Sequence, residues 1–298
     1  MNIIKWRKVS YTVSGTLVGA SFIMLVIWGL PLGIDFTGGS LMELEFKGAV
    51  PTPEDVRNNL NTFSLGDILI QQTGEQGMLL RMRTIDEDTH QQALTALGGL
   101  QHEFSEKRFV SIGPTIGSEL KRKAIWALVL VLIMIIAYIA AAFRQVSYPV
   151  SSWKYGVVAI IALIHDVAIP TGLFVYLGKF YNVEINALFI SALLTILGFS
   201  VHDTIVVFDR VREKLRRRQG EQFEDTVNIS VQETVVRSIN TSLTLLLVLL
   251  TLYFLGGEST KNFSLALIIG TTVGVYSSIF IASPLLVTWE KWATKKKN

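Results

Sequence analysis

The chain has 298 residues, half of them hydrophobic and only 17% charged, with a mean hydropathy of +0.44. That balance excludes an ordinary water-soluble globule and places the chain among integral membrane proteins. The formal charge of +3 is too small and too scattered to mark a nucleic-acid binder, and the lack of cysteine excludes disulfides and thiol chemistry.

Six runs reach the roughly 20 apolar residues needed to cross hydrocarbon: 11–30, 124–143, 155–177, 185–207, 238–256 and 263–288. The first is too long for a signal-peptide core and no Ala-x-Ala site follows it, so it reads as a retained anchor. Lys5, Arg7 and Lys8 precede the first run, and Arg144 and Lys154 separate the second from the third. Arg210 to Arg218 follow the fourth, and Lys291 to Lys297 close the chain, whereas the short opposite loops carry only Lys179 and Lys261. The positive-inside rule then predicts cytoplasmic termini and an outer interval at 35–120. Lys121, Arg122 and Lys123 run against this, but they adjoin a long translocated domain, where the rule is weak. The predicted organisation is an N-terminus and first helix at 1–34, an extracytoplasmic (periplasmic) domain at 35–120 and five helices in 121–290. A basic cytoplasmic 4–5 loop is predicted at about 210–236, in which "RVREKLRRRQGEQFED" (210–225) is expected to form an interfacial helix that snorkels to anionic lipid headgroups or offers a partner-binding surface, and a basic tail occupies 291–298.

In the outer interval the hydrophobic period changes. "LMELEF" (41–46) alternates as a half-buried strand. "TPEDVRNNLNTF" offers Thr52 as N-cap, Pro53 at the first helical position and acids in the first turn. "DILIQQ" and "MLLRMR" read as strands around a Gly-containing turn, "DEDTHQQALTAL" as a helix ending at Gly98, and "RFVSIG" (108–113) as a fourth strand. The order β-α-β-β-α-β predicts a small ferredoxin-like α+β domain between the first and second helices of a six-helix polytopic membrane protein. His90 and His102 stand apart on a polar helix and its exit, and are expected to be solvated. No metal site is predicted, and a polypeptide bound along the sheet edge is the functional alternative for this domain. "GIDFTGGS" leads into it, with Gly38 and Gly39 free to take backbone angles that a tight turn requires. No Lys-Ser/Thr or helix start follows, which argues against a phosphate loop.

Ionisable groups inside a membrane cost about 2.5–3.5 kcal/mol each on insertion scales and tend to be functional. "IALIHDVAIPTGLF" puts His165 and Asp166 in the middle of the third span. "GFSVHDTIVVFDR" puts Ser200, Asp203 and Thr204 at spacings that share one side of the fourth, with His202 beside them. Arg237 precedes the polar half of the fifth, "SINTSLTLLL". Desolvation and a nearby guanidinium act on a carboxylate in opposite senses, so a carboxylate balanced between them suits a proton carrier. A fixed Asp203–Arg237 ion pair is the structural alternative, as hydrogen-bonded packing is for His165 and His202. "GTLVG" and "GTTVG" permit close helix packing at Gly15, Gly19, Gly270 and Gly274.

Together "GIDFTGGSLMELEF", "SIGPTIGSEL", "LIHDV", "GFSVHDTIVVFDRVREKLRR", "VVRSINTS" and "YSSIFIASPLLV" resemble the SecD/SecF family of bacterial protein-export membrane subunits, on its SecF side and over nearly the whole chain. The resemblance implies one half of a transporter related to the resistance-nodulation-division superfamily. Such a half pairs with a SecD-like subunit and the Sec translocon channel, and uses the proton gradient to draw unfolded preprotein across the inner membrane. It implies proton transfer through Asp203 and Arg237, with Asp166, His202 and Thr204 as weaker candidates, and a family motif at Asp35, Phe36, Gly38 and Gly39. The family often has Asn where His202 stands. No cofactor beyond the coupling proton, no nucleic acid and no enzymatic activity are expected, since no nucleophile, base and orienting group assemble from these motifs. Two rival functions are a proton-coupled exporter of small molecules or lipids and a non-transporting structural subunit.

Overall fold

The computed structural model describes residues 3–100, 102–143, 151–217 and 222–295. Arg144, Arg218 and residues 296–298 of the basic tail, all used in the topology argument, lie outside the described residues. The chain divides into two compact units, Leu32–Ile125 and the helical remainder.

The long helix α1 is Arg7–Trp28, in the helical unit; in the first unit the four-residue helix α2, Ile34–Thr37, precedes the sheet. Then come β1 (Gly39–Phe46), α3 (Pro53–Leu60), β2 (Leu69–Thr73), β3 (Gly77–Met82), α4 (Glu87–Gly98) and β4 (Phe104–Ile112). The sheet order is β2-β3-β1-β4, and every pairing is antiparallel. This is the predicted split βαβ arrangement. Alternation in β1 sends Met42, Leu44 and Phe46 to one face, where they meet Met78, Leu80 and Met82 of β3 beneath Val56 and Leu60 of α3 and Ala93 and Leu97 of α4. Both helices start where the sequence signals them. Thr52 Oγ1 accepts from Asp55 N at 3.2 Å, and Asp86 Oδ1 accepts from Thr89 N at 3.0 Å, so each N-cap satisfies a backbone donor that the helix leaves open.

His90 departs from expectation. It is 4% exposed, stacked on Phe109 with ring centroids 3.7 Å apart, and hydrogen-bonded to Glu106 at 2.7 Å and Glu87 at 3.2 Å. The polar residues around it in sequence suggested a wet face, but β4 brings both an aromatic surface and a carboxylate to it. His102 is partly buried at the edge of Phe46.

Among the described residues six helices are long and apolar enough to span a membrane: Ile4–Trp28, Pro114–Ala142, Trp153–Tyr181, Ala187–Arg216, Phe223–Leu255 and Thr260–Lys295. They comprise α1 with a 3-10 turn before it, α5 (Pro114–Ala142), α6 (Ser152–Tyr181), α7 (Ala187–Arg217), α8 (Phe223–Leu255), and α9 (Glu258–Ser277) joined to α10 (Ser283–Lys295). α9 packs against α6, α7 and α8, while α1 packs on α6. Gly270 and Gly274 of α9 lie against Ile196 and Ser200 of α7, so a Cβ at Gly270 would collide with Ile196. Gly15 and Gly19 have open space beside them instead, so among the described residues it is the second small-residue pair that makes a close helix contact.

The basic segment after the fourth span is not a separate interfacial helix. α7 runs unbroken to Arg217, and α8 begins at Phe223. Glu233 of α8 pairs with Arg210 at 2.5 Å and with Lys214 at 2.7 Å, so opposite charges zip the two extensions together. Arg7 of α1 meets Glu224 at the start of α8 at 3.0 Å, and Lys291 of α10 pairs with the same carboxylate. Ile3 N donates to Asn228 Oδ1 at 2.9 Å.

Candidate functional site

Three helices converge on Asp166, which is fully buried. Its Oδ2 accepts from Ser200 Oγ of α7 and from Ser277 Oγ of α9, the latter at 2.7 Å. Its Oδ1 faces His165 Nδ1 at 2.8 Å. Two features of backbone structure set up this centre. Pro170 lies inside α6 and lacks the N–H that would bond to the Asp166 carbonyl one turn back, which opens the helix at that turn. The last span widens into a π-helical turn at Ser278–Ala282, immediately after Ser277. Such wide turns inside α-helices often mark functional positions. Ser283 Oγ donates to the Ser278 carbonyl at 2.9 Å, supporting the widened turn.

The α7 residues continue the site. Thr204 Oγ1 and Ser278 Oγ share a hydrogen bond of 2.8 Å, both buried. Asp203, 2% exposed, has its Oδ1 3.6 Å from His202 Nδ1, and its Oδ2 is buried without a hydrogen-bond partner among the described residues. A buried carboxylate oxygen with no donor is a site that a mobile proton or water can occupy. His202 itself is largely exposed, at 59% of its side chain.

The Asp203–Arg237 ion pair considered as a structural lock is not formed among the described residues. The Arg237 side chain is on the exposed side of α8 with Val236, Ile239 and Leu243. Nor does Arg237 open a helix, because α8 starts 14 residues earlier by count from Phe223. The polar, charge-bearing stretch before Arg237 concealed that continuation.

Asp166, expected to be a supporting group, is therefore the best-connected carboxylate of the bundle. Sequence reasoning missed Ser277, Ser278, Tyr276 and Ser14. The first three lie in "YSSIFIASPLLV", whose adjacent serines inside an apolar span were the available signal.

The family-motif residues lie in the other unit. Asp35 sits in the first turn of α2 and Phe36 is buried. Gly38 has φ +77° and Gly39 φ +133°, angles that L side chains resist. A Cβ at Gly38 would lie 2.8 Å from Pro114 Cα, so the segment leading into β1 and the start of α5 touch backbone to backbone. Ser40, fully buried, holds the same corner through Ser111 Oγ at 2.9 Å and Ile85 N at 3.0 Å. Among the described residues no cluster of three His, Asp or Glu side chains is set to hold a metal.

Two family descriptions match this sequence: "Protein export membrane protein SecD/SecF, C-terminal" over residues 92–292 and "SecD/SecF GG Motif" over residues 23–50. The chain is 45% identical to the protein translocase subunit SecF of Thermobaculum terrenum over 97% of this chain and 94% of that protein. It is 38% identical to the SecF of Synechocystis over 99% of this chain and 96% of that one. A crystal structure of SecDF, a translocon-associated membrane protein from Thermus thermophilus, superposes with a TM-score of 0.85 at 32% identity, covering 98% of this chain and 39% of that chain. SecDF in a super-membrane-facing form gives 0.72 at 31% identity, covering 100% of this chain and 40% of that one. The chain thus spans about two-fifths of the solved SecDF polypeptide.

Proposed function

The chain belongs to the SecD/SecF family of protein-export membrane proteins, and from that premise we propose that it is the SecF-like subunit of a Sec accessory complex that uses the proton gradient to promote preprotein translocation. It is a multi-pass protein of the bacterial inner membrane. Its termini face the cytoplasm and its α+β domain faces outward, in keeping with the basic residues of the short loops.

One observation carries the proton reading. Two carboxylates are buried at the centre of a membrane-spanning bundle, one held by three side chains and the other with an oxygen that has no partner. Intramembrane carboxylates are costly and typically mark ion or proton paths. Asp203 is the carrier, Asp166 anchors the hydrogen-bonded frame beside it, and Thr204 ties that frame to the π turn. Protons are the only coupling species; neither a metal nor an organic cofactor takes part, and the chain is not an enzyme. One charge crossing 100 mV is worth about 2.3 kcal/mol, enough for a few protons per cycle to bias a conformational change.

The partners follow from what this chain leaves uncovered. Arg237 and the apolar face around it are exposed, and only 6% of the apolar window of α5 is buried, against 50% for α6 and α7. A cation at the polar end of a bare apolar face calls for a second membrane subunit, here a SecD-like one. The Sec channel, preprotein and lipids complete the assembly.

The test is preprotein export in inner-membrane vesicles carrying Asp203→Asn, with the gradient imposed and collapsed, and with co-purification of the SecD-like subunit as the assembly control. Loss of only the gradient-dependent part in an assembled complex supports the proposal. Full gradient-dependent export from the mutant contradicts it and leaves a scaffolding subunit.

A further inference from the structure

Asp166 is linked to a third element that plays no part in the reading above. His165 presents Nδ1 to Asp166 and, from the other side of its ring, Nε2 to Ser14 Oγ of α1 at 3.1 Å. Ser14 Oγ donates to the Tyr276 hydroxyl of α9 at 3.4 Å, and that hydroxyl donates to the Ser10 carbonyl at 3.5 Å. His165 and Ser14 are buried, at 4% and 5% exposure. Tyr276 is half-buried and borders a groove of about 470 Å³ between α8 and α9, lined mostly by apolar side chains such as Val235, Ile239 and Leu246, with Gln232, Ser242 and Thr272 as its other polar members. Ser242 Oγ is buried there with no partner. The rings of His165 and Tyr276 stack with centroids 6.1 Å apart.

We infer that His165, Ser14 and Tyr276 form a proton-conducting branch from that groove to Asp166. The inference rests on the proposed proton coupling and adds a route to it.

Counting donors supports a chain that works in two registers. With Tyr276 donating to Ser10 and Ser14 donating to Tyr276, Ser14 must accept from Nε2–H, while Asp166 accepts from Nδ1–H. All four links are then satisfied by a doubly protonated ring beside a carboxylate. When the ring carries only the Nδ1 proton, Ser14 turns its hydroxyl to Nε2, and Tyr276 can turn its own to Ser14. A relay needs this alternation. In one transfer a hydronium at the groove gives a proton to Tyr276 and is left as water, Tyr276 passes its own to Ser14, Ser14 passes its own to Nε2, and the ring releases its Nδ1 proton to Asp166 Oδ1. Each hydroxyl ends with the one proton it began with, the ring passes from its Nδ1–H to its Nε2–H form, and Asp166 gains one proton. The groups facing the ring pair are Tyr276 and Ser277 from α9 and Ser200 from α7, with Asp203 one turn along that helix. Among the described residues α1 contributes the Ser14 hydroxyl and the Ser10 carbonyl.

The experiment reconstitutes the full chain with its SecD-like partner in liposomes enclosing a pH-sensitive dye, imposes a gradient, and records proton uptake in H2O and D2O. The branch predicts that Ser14→Ala and Tyr276→Phe each slow uptake at least about tenfold and alter the solvent isotope effect, while Ser14→Thr, which keeps the hydroxyl, retains most of the rate. Tyr276→Phe preserves the ring stack, so a packing role alone would leave its rate unchanged. Wild-type uptake in both Ser14→Ala and Tyr276→Phe, with uptake lost in Asp203→Asn, overturns the branch and spares the coupling proposal. Wild-type uptake in Asp166→Asn overturns the branch alone, and wild-type uptake in Asp203→Asn overturns the coupling proposal and the branch with it.

Discussion

Ser277, the last α-helical residue before the π turn, donates to Asp166 Oδ2 at 2.7 Å and so joins α9 to the centre of α6. A hydrogen bond to a charged group is worth about 1.5–3 kcal/mol, and its loss leaves a buried acceptor short of a donor. Ser277→Ala is therefore expected to lower the unfolding free energy by roughly that amount. The unfolding midpoint of the purified chain in detergent checks this, with an unchanged midpoint refuting it.

Gly38 illustrates a different constraint. Its φ of +77° and the 2.8 Å approach to Pro114 Cα leave no room for a side chain, and a strained non-glycine backbone costs about 1–3 kcal/mol. Gly38→Ala should lower the midpoint in the same assay. Gly15→Ala, where nothing lies within 4 Å of the added carbon, should leave it level or raise it, since Ala is the better helix former by about 1 kcal/mol. Equal effects at the two sites would contradict this account of the motif.

A pH dependence follows from the N-cap of α4. The Thr89 side chain and backbone N–H hold the Asp86 carboxyl below its ordinary value. A carboxyl depressed on folding adds stability above its unfolded pKa, about 3.9, and loses that contribution as the pH falls through the folded value. Asp86→Ala should thus destabilise the chain at pH 7, and the difference from wild type should shrink as the medium is taken well below pH 4. Unfolding midpoints at the two pH values decide it, and a difference that stays constant rules the cap out as the cause.

Much of this was legible in advance, for physical reasons that can be named. The six spans follow from hydrophobic length, and the α+β domain follows from the change of period at residue 41 and from caps at Thr52 and Asp86. What stayed hidden depends on contacts between distant segments. His90 looks solvated until Phe109 and Glu106 are brought to it by β4. The segment from Arg210 to Arg217 looks like a surface helix until Glu233 pairs with it. Asp166 and Asp203 were both visible as charges in apolar runs, but the hydrogen bonds of Asp166 were not, because the hydroxyls that hold it come from α7 and α9. Serine in a membrane helix carries too weak a pattern for its partner to be read from sequence.

The most direct test of the central claim compares gradient-dependent preprotein export, in vesicles with verified complex assembly, for Asp166→Asn, Asp203→Asn and the double variant. If both carboxylates serve one proton path, each single variant loses most of the gradient-dependent part, and the double variant is no worse than the weaker single. Full gradient-dependent export from either single variant, in an assembled complex, would contradict the account.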